Sequence, residues 1–368
     1  HAGRGRQAVA RLLSRRSVAA LAVVGCSAAL LLAASGLGRA RRGTNIVSGL
    51  RASSQAPMAA QAAADGFGPG IVAPTTLLLE GRAIASQKGP LNHVESAMRA
   101  SPGTAAVIGP GDVITTLASE AFQTSDGNAV RLIVVFRDDP YDASAITAFT
   151  SLEARVAGAL RTAGLADATA SWSGATPTAA EAVADTEAGV WRVAGLAALL
   201  MTLVLALYFR AVIAPLLLVA SSALALAATL GILVDVFQGP LGYPDITFFV
   251  PVAAGVLLVS LGADYSVFVM GRIWEEARGR DLSAAVVAAL PRASRAISIA
   301  AATLAASFAV LALVPVQAFR EFAFILAVGV VIDAFFVRSI LLPALLVLTG
   351  RVAFWPHRIA GKQRSQRP

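Results

Sequence analysis

Four polar side chains inside otherwise apolar runs are the residues of this sequence that could do chemistry. Asp264 and Tyr265 are adjacent within the run Asp245 to Arg272, DITFFVPVAAGVLLVSLGADYSVFVMGR. Asp333 and Arg338 lie in an equally apolar run from about Phe322 to Leu348. At about 1.5 Å of helical rise per residue, Asp264 sits roughly 12 Å from the charged boundary at Arg272 and about 28 Å from the one at Asp245. A hydrocarbon core is about 30 Å thick, so this carboxyl lies well inside one. A lone carboxylate at that depth must be protonated, paired or facing a polar path, and such residues default to a functional reading. Proton uptake and release by Asp264 is the chemistry the pattern points to.

Counted from the outer ends of their spans, Asp264 and Arg338 are about 28 and 25 Å deep, and Asp333 about 18 Å. A neighbouring cation, or Tyr265 and other hydroxyls, can therefore hold a deprotonated Asp264. Protonation releases that hold and favours a different helix packing. Two plainer roles stand beside these. Arg338 can simply neutralise Asp333 or snorkel to the inner headgroups, and Tyr265 can be a packing residue with one satisfied hydroxyl. Asp235, Asp245 and Glu321 fall at outer rims, where solvation is expected.

The elements that must position these groups follow from hydropathy. The chain has 368 residues, 57% hydrophobic and 14% charged, with mean hydropathy +0.70, a composition that belongs to an integral membrane protein. Ser17 to Gly38 is a first span without a charge. Span two runs from about Val190 to Tyr208 with Trp191 and Tyr208 as interfacial anchors, and span three covers about 212 to 234. Span four is the stretch bearing Asp264. Spans five and six cover about Ile297 to Val316 and Phe322 to Leu348. Between spans four and five, residues 271–296 read as an interfacial helix broken at Gly279 and near Pro291. In span five, Thr303 and Ser307 share a face one turn apart. That spacing fits close packing through small residues better than a proton wire.

Residues 39–188 read as one extracytoplasmic domain of strands alternating with helices, an α/β sandwich with helices on one face of a small sheet. Strands are expected at 75 to 81, in TAAVIGP, RLIVVFRDDP and ATASWSG, and around Val113 to Ala118. Helices are expected in SSQAPMAAQAAADGFG, LNHVESAMRA and Ala143 to Ala163. A further helix from Thr176 to Gly189 runs on into span two.

The net charge of +8 could suggest nucleic acid, but its placement decides otherwise. Arginines and lysines crowd the segment 1–16, the stretch between spans four and five, and the tail 351–368. With six spans these segments fall on one side, the cytoplasmic side by the positive-inside rule. The region outside, 39–188, is mildly acidic, with 11 basic against 14 acidic residues. The basic opening ahead of a full-length span reads as a signal anchor, or as part of a longer protein, rather than a removable signal peptide. One cysteine, Cys26, precludes an intrachain disulfide. No HExxH or CxxC spacing supports zinc, and GFGPG at 66–70 is a turn rather than a phosphate cradle. No span carries a histidine to serve as a hydrolase base.

GADYSVFVMGRIWEEARGR in span four, YFRAVIAPLLL at the second turn, SRAISIAAATLAASFAVLAL in span five and GVVIDAFFVRSILLPALLVLTGR in span six resemble the MMPL family of the resistance-nodulation-division superfamily. The resemblance covers nearly the whole chain. It implies a membrane α-helical bundle of six spans, one half of such a transporter, with an inserted extracytoplasmic α/β porter-like domain. It also implies proton-driven export of lipids or other hydrophobic compounds from a bacterial-type plasma membrane, with protons as coupling ion and no cofactor. Asp264 and Tyr265 match the family's relay pair in this span, and Asp333 and Arg338 match the charged pair of its last span. Family members carry two six-span halves, so the expected partner is a second half in the same polypeptide or a self-associated copy. A non-transporting scaffold whose outer domain binds a lipid or protein is the alternative in another class, but it leaves the intramembrane acids unexplained. A protein-export subunit of the same superfamily is the other alternative, and GADYSVF resembles that branch less.

Overall fold

The computed structural model describes residues 2–44, 55–112, 120–277 and 282–356. Two units separate by contact, residues 1–40 with 189–368, and residues 41–188. The strand expected around Val113 to Ala118 and the break expected at Gly279 lie outside the described residues.

The first unit is a membrane helical bundle. Among the described residues, six helices are long and apolar enough to cross a bilayer: Arg16–Arg39, Ala175–Phe209, Ile213–Phe237, Val250–Ala277, Ala293–Leu313 and Gln317–Thr349. They are taken below as spans one to six. Spans three and six bury half or more of their apolar windows and span two only 6%, so three and six form the centre. A short helix, Ala2–Leu13, precedes span one and turns Ala10 and Leu13 into the same core.

Spans one and three approach closely because both present glycine where they meet. A Cβ on Gly231 would stand 2.0 Å from the Ala33 carbonyl oxygen, and one on Gly36 would stand 2.5 Å from the Gly231 oxygen. Small residues are what allow backbones this close. At the same end Arg39 reaches Asp235 at 2.7 Å, which gives one of the arginines after span one an acid partner. Gly231→Val should therefore force the spans apart and lower stability by about 1–3 kcal/mol, the usual cost of overpacking. Gly25→Ala, with nothing within 4 Å of its added carbon, should be neutral or slightly stabilising. Thermal unfolding of both variants in one detergent checks the contrast.

Two expectations are corrected here. The helix Leu282–Val310 is continuous with Pro291 inside it, so there is no break near Pro291. An internal proline costs about 3 kcal/mol, but Ala285, Val286, Ala289, Leu290 and Ala293 around it all bury into the bundle core, and that burial offsets it. Second, Asp245 and Glu321 are not solvated: their exposures are 1% and 0%. The Glu321 carboxylate accepts from the Thr247 backbone N–H at 3.0 Å and from Gln317 Nε2 at 2.8 Å. Gln317 also donates to the Asp245 carbonyl at 2.9 Å. These donors replace water, and they tie the start of span six to the segment leading into span four. Asp235 stays partly exposed, in its pair with Arg39.

The second unit opens with α1 (Gln55–Phe67) and continues as β1 (Thr75–Glu80), α2 (Lys88–Arg99), β2 (Thr104–Ile108), β3 (Ala129–Phe136), α3 (Ala143–Thr162) and β4 (Thr169–Ser173). From β1 onward this is a βαββαβ unit, and its strands lie in the order β2-β3-β1-β4, each pair antiparallel. Strand periodicity sends Leu77 and Leu79 of β1, and Leu132 and Val134 of β3, to one face. There they meet Leu91, Val94 and Met98 of α2 and Phe149, Leu152 and Val156 of α3. Helices thus cover a single face of the sheet. Glu95 of α2 is 6% exposed, and burial pushes its carboxyl up although Arg99 lies 3.4 Å away. The 35-residue helix Ala175–Phe209 follows β4 and contains span two.

Candidate functional site

Span six is α-helical from Gln317 to Val331, π-helical over Ile332–Leu341, and α-helical again over Leu342–Thr349. The irregularity matters for the two charges. Residues five apart in an α-helix point about 140° away from each other. The wider π turn, closed by i to i+5 hydrogen bonds, brings such residues toward one side. Arg338 Nε accordingly donates to Asp333 Oδ2 at 2.6 Å, and its Nη2 to Oδ1 at 3.2 Å. Two parallel charge-assisted bonds make this a fork-on-carboxylate pair. Ser339 follows the same geometry, donating to the Ala334 carbonyl five residues back at 2.8 Å. The Arg338 side chain is 1% exposed and that of Asp333 14%, so the pair is held away from lipid.

Span four supplies the other wall. A Cβ on Gly262 would lie 3.2 Å from Arg338 Nη2 and 3.8 Å from Asp333 Oδ2, so glycine there is what admits the guanidinium. Tyr265, three residues on and therefore on a neighbouring face, lies within electrostatic reach of Asp333, Arg338 and Asp264. Tyr265, Gly262 and Asp333 line a cavity of about 20 Å³ together with Ser222 and Thr229 of span three and Gly329 of span six.

The structure thus brings Tyr265, Asp333 and Arg338 together and leaves Asp264 apart. Successive helix residues differ in direction by about 100°, so the two neighbours in sequence cannot share a face. Asp264 is exposed, on a stripe with Val256, Leu257, Ser260 and Phe268, and makes no hydrogen bond or ion pair among the described residues. The cation that could have held it is engaged with Asp333. Thr303 and Ser307 are exposed, and each donates to the carbonyl one turn back, so among the described residues neither hydroxyl is bonded to the site. Sequence reasoning missed Ser222, Thr229 and Gly262. The Ser-Ser pair at 221 and 222 in an apolar span and the glycine two residues before Asp264 were the available signals. Among the described residues no group of three or more His, Cys, Asp or Glu side chains could hold a metal ion.

The chain is 31% identical over 365 residues to SCO5905, a membrane protein of Streptomyces coelicolor, covering 95% of this chain and 40% of that protein. It is 34% identical over 163 residues to the apo-petrobactin exporter of Bacillus anthracis, covering 44% of this chain and 22% of the relative. It is 29% identical over 235 residues to the sulfolipid-1 exporter MmpL8 of Mycobacterium tuberculosis, covering 64% and 21%. The chain therefore spans at most about two fifths of the length of these relatives. The sequence pattern of the MMPL family matches residues 76–367, most of the chain, and this multi-pass membrane protein belongs to the MMPL family.

Proposed function

We propose that the chain is one six-span half of a proton-driven exporter of lipids or other hydrophobic compounds, with Asp264, Tyr265, Asp333 and Arg338 as its proton relay. The observation that carries this reading is the buried Asp333–Arg338 pair, packed against Gly262 and within reach of Tyr265, in the middle of a membrane bundle. Structural stability alone gives little reason for it, since a buried ion pair is on average no better than apolar residues of similar volume. Intramembrane carboxylates with a changeable partner are what a proton pathway requires.

Asp264 takes the other role. A carboxylate left exposed on a membrane helix is costly, and a second six-span half or a second copy of the chain covering that stripe removes the cost and supplies its partner. The names of two relatives, an apo-petrobactin exporter and a sulfolipid-1 exporter, support a lipid or other hydrophobic cargo. Residues 39–188 then act as a porter-like domain outside the membrane. The basic segments, both termini included, face the cytoplasm by the positive-inside rule.

The test compares surface lipids of cells with and without the gene, before and after a protonophore collapses the gradient. Loss of a lipid species from the surface on deletion, and arrest of its appearance by the protonophore, is the expected result. Unchanged export in the absence of a proton gradient would return the scaffold reading.

A further inference from the structure

In membrane helices, serine and threonine hydroxyls commonly satisfy themselves by donating to a carbonyl one turn back. Ser221, Thr229, Ser298, Thr303 and Ser307 all do so here, at 2.6 to 3.0 Å. Ser222 does not. The residue is nine-tenths buried and its hydroxyl has no hydrogen-bond partner among the described residues, and it lines the cavity shared with Tyr265, Thr229 and Asp333. Buried polar groups almost always find a partner, and one that has none in protein calls for an explanation.

The cavity provides one. Its volume of about 20 Å³ exceeds the roughly 10–15 Å³ needed to admit a single water, which also needs two to four polar neighbours. Ser222, Thr229, Tyr265 and Asp333, each with a hydroxyl or carboxylate to offer, all line the cavity, and Leu226, Leu258 and Leu261 add apolar wall. We propose that this cavity is a water-binding site and that Ser222 of span three positions the bound water to hand protons to Asp333.

The transfer balances simply. A proton arriving on the water passes along its hydrogen bond to an Asp333 oxygen, the carboxylate becomes a carboxylic acid, and the water is left neutral and still held by Ser222. Loss of the Asp333 charge then weakens its hold on Arg338. The inference rests on the relay reading above and adds a third helix to it, since Ser222 belongs to span three.

The experiment uses the intact protein in lipid membranes, with infrared difference spectra taken between two pH values in ordinary water and in water labelled with oxygen-18. The wild type should show a water O–H band that shifts on labelling. That band should be lost in Ser222→Ala and restored in Ser222→Thr. Proton uptake into vesicles carrying a trapped pH dye should slow about tenfold in Ser222→Ala, the scale of one hydrogen bond to a charged acceptor, and its pH profile should shift, which a purely packing role would not cause. Absence of an isotope-sensitive band in the wild type, or a Ser222→Ala protein with the same band and the same uptake, overturns the proposal. The band is read without transport, so failure of the relay itself, seen as undiminished uptake in Asp264→Asn, is distinguished from failure of the water site.

Discussion

Asp264→Asn should remain folded and inserted in the membrane while losing gradient-driven transport by at least about a hundredfold, the lower end of what a positioned proton-transfer group contributes. Asparagine has nearly the same shape, and Asp264 is exposed and makes no hydrogen bond or ion pair among the described residues, so no packing in this chain is disturbed. Only the capacity to bind and release a proton is removed. Asp264→Glu keeps that capacity with the carboxyl displaced by one methylene, and should retain part of the activity. Proton uptake by reconstituted vesicles and thermal unfolding of the same preparations separate the two effects. A normal uptake rate in the asparagine variant would remove Asp264 from the mechanism.

The Asp333–Arg338 pair should give the largest change in stability, and an asymmetric one. Asp333→Ala leaves a guanidinium that is 2% exposed without its counter-ion. Arginine cannot shed its proton to escape, so the cost should reach about 3–5 kcal/mol. Arg338→Met leaves a carboxyl that, unlike a guanidinium, can shed its charge by taking up a proton, and should cost markedly less. Combining Asp333→Leu with Arg338→Met removes both charges and should recover most of the stability without recovering transport. Melting temperatures of the three variants in one detergent check the order. Equal losses from the two single substitutions would mean the pair is not isolated from solvent in the way its geometry implies.

Sequence and structure agree where a single physical rule dominates. The long apolar runs locate the spans because burying backbone in hydrocarbon allows little but helix. Apolar and β-branched runs in TTLLLE and RLIVVF mark the strands, although burial alternates cleanly only in the first. The site was legible in part: the depth of Asp264, Asp333 and Arg338 follows from counting rise. Their facing does not. Asp264 and Tyr265 diverge because adjacent helical residues must, while Asp333 and Arg338 converge only because span six departs from α geometry, which no periodicity in IDAFFVRSIL announces. Pro291 and Glu321 were misread for a common reason. Both are local signals, of helix breaking and of solvation, and both are overridden by the surroundings: burial of the alanines, valine and leucine flanking Pro291 in the bundle core, and hydrogen bonds to Glu321 from Gln317 one turn away and from Thr247 far off in the sequence.

The π segment has a mechanical corollary. Hydrogen bonding in a helix can be re-paired without unravelling it, and Ile332–Leu341 is continuous with α-helix at both ends. Relaxing it to the tighter winding would swivel one half of the span about its own axis relative to the other and carry the arginine out of the acid's reach. A proton settling on that acid removes the main attraction opposing the swivel. The bundle could then convert a chemical event into torque along a single rod, with no helix having to slide.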